Sequence, residues 1–200
     1  MHPRAPLAPP RDRKGDRTRE RLFQAALAEF RETGFEAASV GAIAQRAGTS
    51  RASFYFHYPS KEAVLLDLQW RVEMSVVEQT QGTATLREFL DALIEAICTA
   101  DAGMAAGGLL RVTLGVYIRQ PAGLDLSEQP FPLMMEVARR FVTARDGALR
   151  PGLAPEQATE IFLASLFGLV AGTPGAVATR RDALHTLATL FLADETPVER

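Results

Sequence analysis

The segment from Ser39 to Lys61, SVGAIAQRAGTSRASFYFHYPSK, restricts the fold more than any other part of the chain. Apolar residues recur at helical spacing from Val40 to Ala47, and the serine before them is a suitable N-cap. Gly48 can supply the positive φ that a sharp turn requires. A second short helix follows, capped by Thr49 or Ser50. We therefore predict two short helices joined by a tight glycine turn.

The second of these helices carries polar and aromatic side chains over most of its surface. A helix-turn-helix lays its second helix in the major groove of DNA. There arginine is the commonest reader of guanine, and aromatic or methyl groups pack on the thymine methyl. Hydroxyls, histidine and lysine suit contacts to phosphate. The composition of this helix therefore indicates DNA binding.

The same stretch resembles the DNA-binding domain of the TetR family of bacterial transcriptional regulators. The resemblance covers about residues 17–65. It rests on Ile43-Ala44, Ala47-Gly48-Thr49-Ser50, Phe54-Tyr55, His57-Tyr58, Lys61-Glu62 and Leu65. The chain departs from the pattern at Ala52, where the family usually has glycine. The resemblance implies a homodimeric repressor that a small-molecule effector releases from a double-stranded DNA operator.

Arginines crowd the first turns of the helix before this segment, where acidic groups are normally preferred, and a nearby polyanion would reconcile that pattern. In the resembling family this region approaches the DNA backbone, which makes Thr18 a candidate phosphate contact. Phe54 and Tyr58, four residues apart, are expected in the core. The candidate DNA contacts are Thr18, Ser39, Thr49, Ser50, Arg51, Ala52, Ser53, Tyr55, Phe56, His57 and Lys61.

The charge is divided unevenly along the chain. Residues 1–61 hold 11 Lys and Arg against 6 Asp and Glu, a net charge of +5, whereas residues 62–200 carry −7. A basic N-terminal part suits contact with nucleic acid, and an acidic remainder would be held away from phosphate.

Three segments are predicted from composition and pattern. Residues 1–15, rich in proline and basic side chains, form a disordered arm, either a solvated tail or a DNA-contacting arm. Residues 16–61 form the helix-turn-helix domain, and residues 62–200 form a helical effector-binding and dimerisation domain. Since no Pro-, Gly- or Ser-rich linker separates the last two, motion at one end is expected to reach the other.

Helical periodicity continues beyond the helix-turn-helix, and no stretch of useful length alternates with a period of two. We therefore predict an all-α fold of about nine helices. Besides the two short ones, the predicted helices cover about residues 16–33, 60–80, 86–101, 109–118, 133–147, 154–172 and 179–193.

The last two predicted helices are apolar round much of their circumference, with small residues interleaved. They are either a buried core pair or a dimer interface in which two such hairpins form a four-helix bundle. The helix-turn-helix favours the second reading, because two half-sites of a pseudo-palindromic operator require a two-fold partner. The candidate interface residues are Phe162, Ser165, Leu166, Leu169, Leu184, Leu187 and Phe191.

The helices between the DNA-binding segment and this pair are expected to enclose an effector cavity. Methionine and aromatic residues at helical spacing also occur in ordinary cores, but a cavity lined by them suits an apolar, moderately large molecule. Arg111 could pair with an internal carboxylate, point outward, or meet an anionic ligand. The candidate lining residues are Trp70, Met74, Cys98, Met104, Leu110, Arg111, Tyr117, Met134, Met135 and Phe162.

The sequence gives no indication of an enzyme, a metal site or a cofactor. None of the three histidines has metal-ligand spacing with cysteine or carboxylates, and the glycines of a nucleophile elbow are missing around Ser165. The alternative function is a helical protein-interaction or architectural DNA-binding module without an effector. The set of Arg51, Tyr55, His57 and Lys61 argues against it.

The single cysteine, Cys98, excludes an internal disulfide and favours a reducing compartment. Its apolar helical surroundings favour inert packing over redox sensing. The longest apolar run, Ile161 to Pro174, is too short to span a bilayer, and the first residues lack a signal-peptide core. A soluble cytoplasmic protein without membrane contact is expected.

Overall fold

A computed structural model of the chain describes residues 13–104, 131–145, 147–172 and 177–193. Within these ranges there is no strand, only an isolated antiparallel bridge between Leu149 and Leu192. The prediction of an all-α fold is confirmed. The eight helices of the described residues are α1 Arg13–Thr33, α2 Val40–Arg46, α3 Arg51–His57, α4 Lys61–Gln79, α5 Leu86–Met104, α6 Pro132–Val142, α7 Pro155–Gly172 and α8 Val177–Phe191.

Three helix boundaries differ from the prediction by three residues or more, and the predicted helix at 109–118 lies outside the described residues. Helix α5 continues to Met104, past the expected end near residue 101. Helix α1 begins at Arg13, three residues before the expected start. Helix α6 ends at Val142 instead of near residue 147. The prediction of a longer α6 was wrong because the helical hydrogen bonds stop after Thr143. The Ala144 amide donates to the Phe141 carbonyl, only three residues earlier, at 3.4 Å, which closes the last turn.

The described residues group into two compact units, and the division falls within α4, between Gln69 and Trp70. The first unit holds α1, α2, α3 and the start of α4. The second holds the rest of α4, α5 as far as Gly103, and α6 to α8. None of the helices in the described ranges has both the length and the apolar character needed to cross a membrane.

The core of the first unit forms where α1, α2 and α3 meet. Helix α1 buries the predicted stripe, of which Leu22, Ala26 and Phe30 are almost fully covered. Burial of each large apolar side chain contributes about 1.5–3 kcal/mol. Phe54 and Tyr58 are completely buried, so the expectation that both belong to the core is confirmed.

The turn between α2 and α3 has the hydrogen bonds of a Schellman motif. The Gly48 amide donates to the Gln45 carbonyl at 3.0 Å, and the Thr49 amide donates to the Ala44 carbonyl at 2.9 Å. Gly48 has φ +63°, as the sequence predicted. Ser50 caps α3, since its hydroxyl oxygen accepts from the Ser53 amide at 3.1 Å. These hydrogen bonds fix where α2 ends and where α3 begins.

The core of the second unit is centred on three aromatic rings, one from each of α6, α7 and α8. The ring centroid of Phe162 lies 5.3 Å from that of Phe141 and 5.4 Å from that of Phe191. At the start of α6, which has no side-chain cap at Phe131, the buried carboxylate of Glu73 accepts from the Leu133 amide at 3.2 Å. A residue of α4 thus supplies the missing cap of α6.

Replacement of Gly48 by alanine is expected to lower the free energy of unfolding by about 1–2 kcal/mol, because a side chain is unfavourable at positive φ. Gly41→Ala is the matched control. It lies inside α2, and a Cβ there would meet only the Ser39 hydroxyl oxygen, at 3.8 Å. Gly41→Ala is expected to raise the free energy of unfolding by up to about 1 kcal/mol. Urea denaturation followed by circular dichroism measures both, and equal losses would contradict the role of the turn.

Candidate DNA-binding surface

Helix α3 turns three rows of side chains away from the core of the first unit. Residues four apart lie on the same face of a helix, so all residues of α3 except the buried Phe54 form three rows of two. Phe56 is 82% exposed and Tyr55 is 50% exposed. Ser53 and His57 are half-buried. The polar row is Arg51 and Tyr55, the apolar row is Ala52 and Phe56, and the inner row is Ser53 and His57.

The serines that cap the two short helices lie at the edges of this surface. The hydroxyl oxygen of Ser39 accepts from the Ala42 amide at 3.0 Å, and that of Ser50 caps α3 in the same way. Each hydroxyl can still donate its own hydrogen. Thr18 and Thr49 are half-buried. Ser39 and Ser50 therefore have a structural role as N-caps, and Thr18 and Thr49 keep partly exposed side chains.

The His57 side chain, at the end of α3, is uncharged at neutral pH. Burial and the nearby Arg19 guanidinium both lower the pKa of His57 below its usual value of 6.5. A neutral imidazole offers one donor and one acceptor nitrogen. Its ring also contacts the ring of Phe56 edge-on, with centroids 5.0 Å apart. His57 can therefore bond to DNA but does not add charge there.

Exposed positive charge surrounds the turn instead. Arg17, Arg21 and Arg51 are all exposed. The Arg21 guanidinium lies 3.9 Å from the position that a Cβ at Gly48 would occupy, so it is next to the turn. Arg17 precedes Arg21 by four residues and shares its face of α1. Arg17 and Arg21 were not among the sequence candidates, although the basic first turns of this helix were a visible signal.

Arg46 of the first unit is occupied by internal partners. Arg46 pairs with Glu32 and, at 3.5 Å, with Glu29. The Arg46 guanidinium holds the pKa of Glu32 below its usual value through their hydrogen bond. A count of basic residues from the sequence therefore overstates the number of positive side chains that this unit can offer to phosphate.

A polar cluster fastens the end of α3 to α1 and α4. The Tyr58 hydroxyl donates to Asp67 Oδ2 at 2.6 Å, and Arg19 Nη2 donates to the same oxygen at 3.1 Å. Arg19 Nε donates to the Tyr58 oxygen at 3.3 Å. Burial, together with the hydrogen bond to Asp67, raises the pKa of Tyr58 well above its usual value. The hydroxyl therefore stays protonated and keeps donating to the carboxylate.

Lys61 is also engaged inside the first unit. Its ammonium donates to the carbonyls of Phe35, Glu36 and Ala38 at 2.8, 3.2 and 2.9 Å. It also lies 4.9 Å from the centroid of the Phe35 ring. Lys61 thus ties the segment between α1 and α2 to the start of α4. The sequence-based assignment of Lys61 to phosphate stays a prediction.

The candidate pocket residues fall into three groups. Cys98, Met134 and Phe162 are buried in the second unit, and burial raises the pKa of the Cys98 thiol. Trp70, Met74 and Met135 are each about half exposed. The last group lies outside the residues whose side chains the structure describes: Met104, Leu110, Arg111 and Tyr117.

Most of the candidate dimer residues pack inside their own protomer. Phe162 and Phe191 belong to the aromatic centre of the second unit. Leu166, Leu184 and Leu187 are also buried, whereas Ser165 and Leu169 are half-buried. The exposed apolar surface of these two helices is formed by other residues: Ile161, Ala164 and Gly168 of α7 and Leu190 of α8.

A buried glycine-turn helix pair, an outward second helix and adjacent exposed arginines define a helix-turn-helix of the DNA-binding type. Residues 22–68 match the family described as "Bacterial regulatory proteins, tetR family". This match confirms the resemblance found in the sequence for the helix-turn-helix part of the chain.

Known proteins similar to this chain include transcriptional regulators. HTH-type transcriptional regulator UidR of Escherichia coli (strain K12) is 25% identical over 163 residues, which are 77% of this chain and 80% of the relative. The solved structure of Thermus thermophilus FadR, a TetR-family repressor in complex with lauroyl-CoA, has a TM-score of 0.66 and 25% identity. It covers 91% of this chain and 99% of that one.

A stronger sequence match is confined to the N-terminal part. The uncharacterized HTH-type transcriptional regulator YdgC of Bacillus subtilis (strain 168) is 44% identical over 55 residues. This match spans 28% of the chain and 28% of the relative.

Replacement of Lys61 by glutamine is expected to destabilise the protein by about 1–3 kcal/mol, because three backbone carbonyls lose a charged donor. The slope of log binding constant against log salt for DNA is expected to stay unchanged. Arg51→Gln is the matched comparison: it is expected to reduce that slope by about 1 and to leave stability within about 0.5 kcal/mol. Chemical denaturation and fluorescence anisotropy at several salt concentrations measure the two effects. A reduced slope with unchanged stability in Lys61→Gln would instead place Lys61 on phosphate.

Proposed function

We propose that this protein is a homodimeric repressor that binds a pseudo-palindromic DNA operator and is released from it by a small-molecule effector. The observation that carries the proposal is α3. Phe54 and Tyr58 hold α3 to the core. Its polar and apolar rows are exposed, and its inner row is half-buried. A short helix held in this way presents a fixed surface to the major groove.

The charge arrangement supports contact with the DNA backbone next to the start of α3. Arg17 and Arg21 lie on one face of α1, and Arg21 is next to the glycine turn. Arg51 opens α3 itself. Guanidinium groups and capping hydroxyls around a recognition helix suit phosphate contacts, which set its position and orientation.

Dimerisation is proposed through the exposed apolar surface of α7 and α8. Ile161, Ala164 and Gly168 recur three and four residues apart, so they lie on one face of α7. Ile161 is 52% exposed, and Leu190 of α8 is 54% exposed. Small residues allow close approach of a partner helix. Two copies related by a two-fold axis would form a four-helix bundle and present two α3 helices to two half-sites.

An effector is proposed to bind in the helical part of the chain, residues 62–200, while residues 16–61 bind DNA. The lauroyl-CoA bound to Thermus thermophilus FadR supports an effector that carries an apolar chain, since its lauroyl group is a hydrocarbon chain. Buried Cys98, Met134 and Phe162 suit such a ligand chemically. Because α4 is shared by both units, an effector that displaces it would change the presentation of α3.

DNA binding is tested by fluorescence anisotropy with duplexes from the DNA that flanks the protein's own gene. An unrelated duplex of equal length is the control, and both are titrated at two salt concentrations. We expect at least one flanking duplex to bind about a thousandfold more tightly than the control. Equal and steeply salt-dependent binding to both would reduce the function to nonspecific DNA contact. No binding to any duplex would favour a protein-interaction module.

The dimer is tested by replacing Ile161 with glutamate, since a charge on the apolar face of α7 opposes its burial against a second copy. The variant is expected to sediment as a monomer and to lose at least about tenfold in operator affinity. Val142→Glu is the matched control, because Val142 is a similarly exposed apolar residue on α6. Analytical ultracentrifugation distinguishes the two. A dimeric Ile161→Glu variant would rule out this face.

A further inference from the structure

We propose that the apolar row of α3, Ala52 and Phe56, reads thymine methyl groups in the operator. The inference rests on the proposed DNA-binding function and assigns a specific recognition chemistry to it. Within an otherwise polar surface, these two residues form the part of α3 that has no hydrogen-bonding side chain.

The exposure of Phe56 is the first observation behind this proposal. Its ring is 82% exposed, although a phenyl group in water is unfavourable. The core of the first unit does not use it, since α3 is anchored by Phe54 and Tyr58. The Phe56 ring contacts the His57 ring edge-on, with 5.0 Å between their centroids. Phe56 is therefore positioned for an external partner and not for packing within the described part of the chain.

The position of Ala52 is the second observation. Ala52 precedes Phe56 by four residues, so its methyl group lies on the same face of α3, and it is exposed. The resembling family usually has glycine here, which would leave this place without a side chain. In this chain a methyl group and a phenyl ring extend one apolar row along the outward face of the helix.

The chemistry of the major groove then restricts the partner. A phenyl ring and a methyl group cannot donate to phosphate or to the polar edges of bases. The C5-methyl of thymine is the apolar feature of the major groove, and alanine and phenylalanine are among the residues that contact it. The neighbouring polar row, Arg51 and Tyr55, is suited to hydrogen bonds with base edges or phosphate. The two rows therefore divide polar and methyl recognition between them.

The test removes the methyl group alone. The full-length protein first selects duplexes from a random-sequence pool, and each thymine of the selected duplex is then replaced in turn by deoxyuridine. We expect at least one thymine in each half-site at which the replacement weakens binding about fourfold, as the loss of one buried methyl group predicts. If Phe56 reads that thymine, the deoxyuridine replacement is expected to change the binding of Phe56→Ala less than about 1.5-fold. If Ala52 reads it, the same is expected for Ala52→Gly.

Tyr55→Phe is the matched control, because it alters the polar row and is expected to keep the fourfold deoxyuridine effect. Each comparison is a ratio of two dissociation constants for one protein sample, so a small loss of stability in a variant cancels. Thermal unfolding of Phe56→Ala is expected to match that of the parent, since the ring is exposed.

Three outcomes would overturn the proposal. If selected duplexes bind specifically but tolerate deoxyuridine everywhere, methyl reading is wrong while the DNA-binding function stands. If the deoxyuridine effect persists in both Phe56→Ala and Ala52→Gly, other residues read the methyl. If the pool yields no selected sequence, the proposed function and this inference fail together.

Discussion

The presentation of α3 depends on the way Tyr58 is held at its end. The Tyr58 ring is buried in the core, and its hydroxyl reaches Asp67 of α4 at 2.6 Å, where Arg19 of α1 also donates. The buried ring stabilises the end of α3 through its apolar area. The hydrogen bonds to Asp67 fix the orientation of the ring, because small displacements weaken a hydrogen bond. A seven-residue helix has little stability of its own. Its position is therefore set by these contacts and by the Schellman turn at Gly48.

Much of the first unit could be predicted from the sequence because the deciding signals are local. The need for positive φ at Gly48, the serine caps and the apolar stripe of α1 each depend on residues within a few positions of one another. Their spacing alone carries the information. The assignment of Phe54 and Tyr58 to the core followed from the same periodicity.

The parts that escaped prediction depend on contacts between residues distant in sequence. Lys61 bonds to carbonyls more than 20 residues earlier, and Arg19 reaches Asp67 across 48 positions. The Arg150 amide bonds to the Phe191 carbonyl at the end of α8, a contact that no local pattern predicts. Likewise, periodicity places Phe162 and Leu166 on an apolar face but cannot say whether that face meets its own protomer or a second one.

The exposed ring of Phe56 also has a thermodynamic consequence. Apolar surface in contact with water raises the heat capacity of the free protein, and covering it lowers that heat capacity. If DNA covers the ring, part of the association enthalpy must become more favourable as the temperature rises. Operator binding by this chain would then carry a temperature dependence that phosphate contacts alone do not supply, and one aromatic residue would account for a definable share of it.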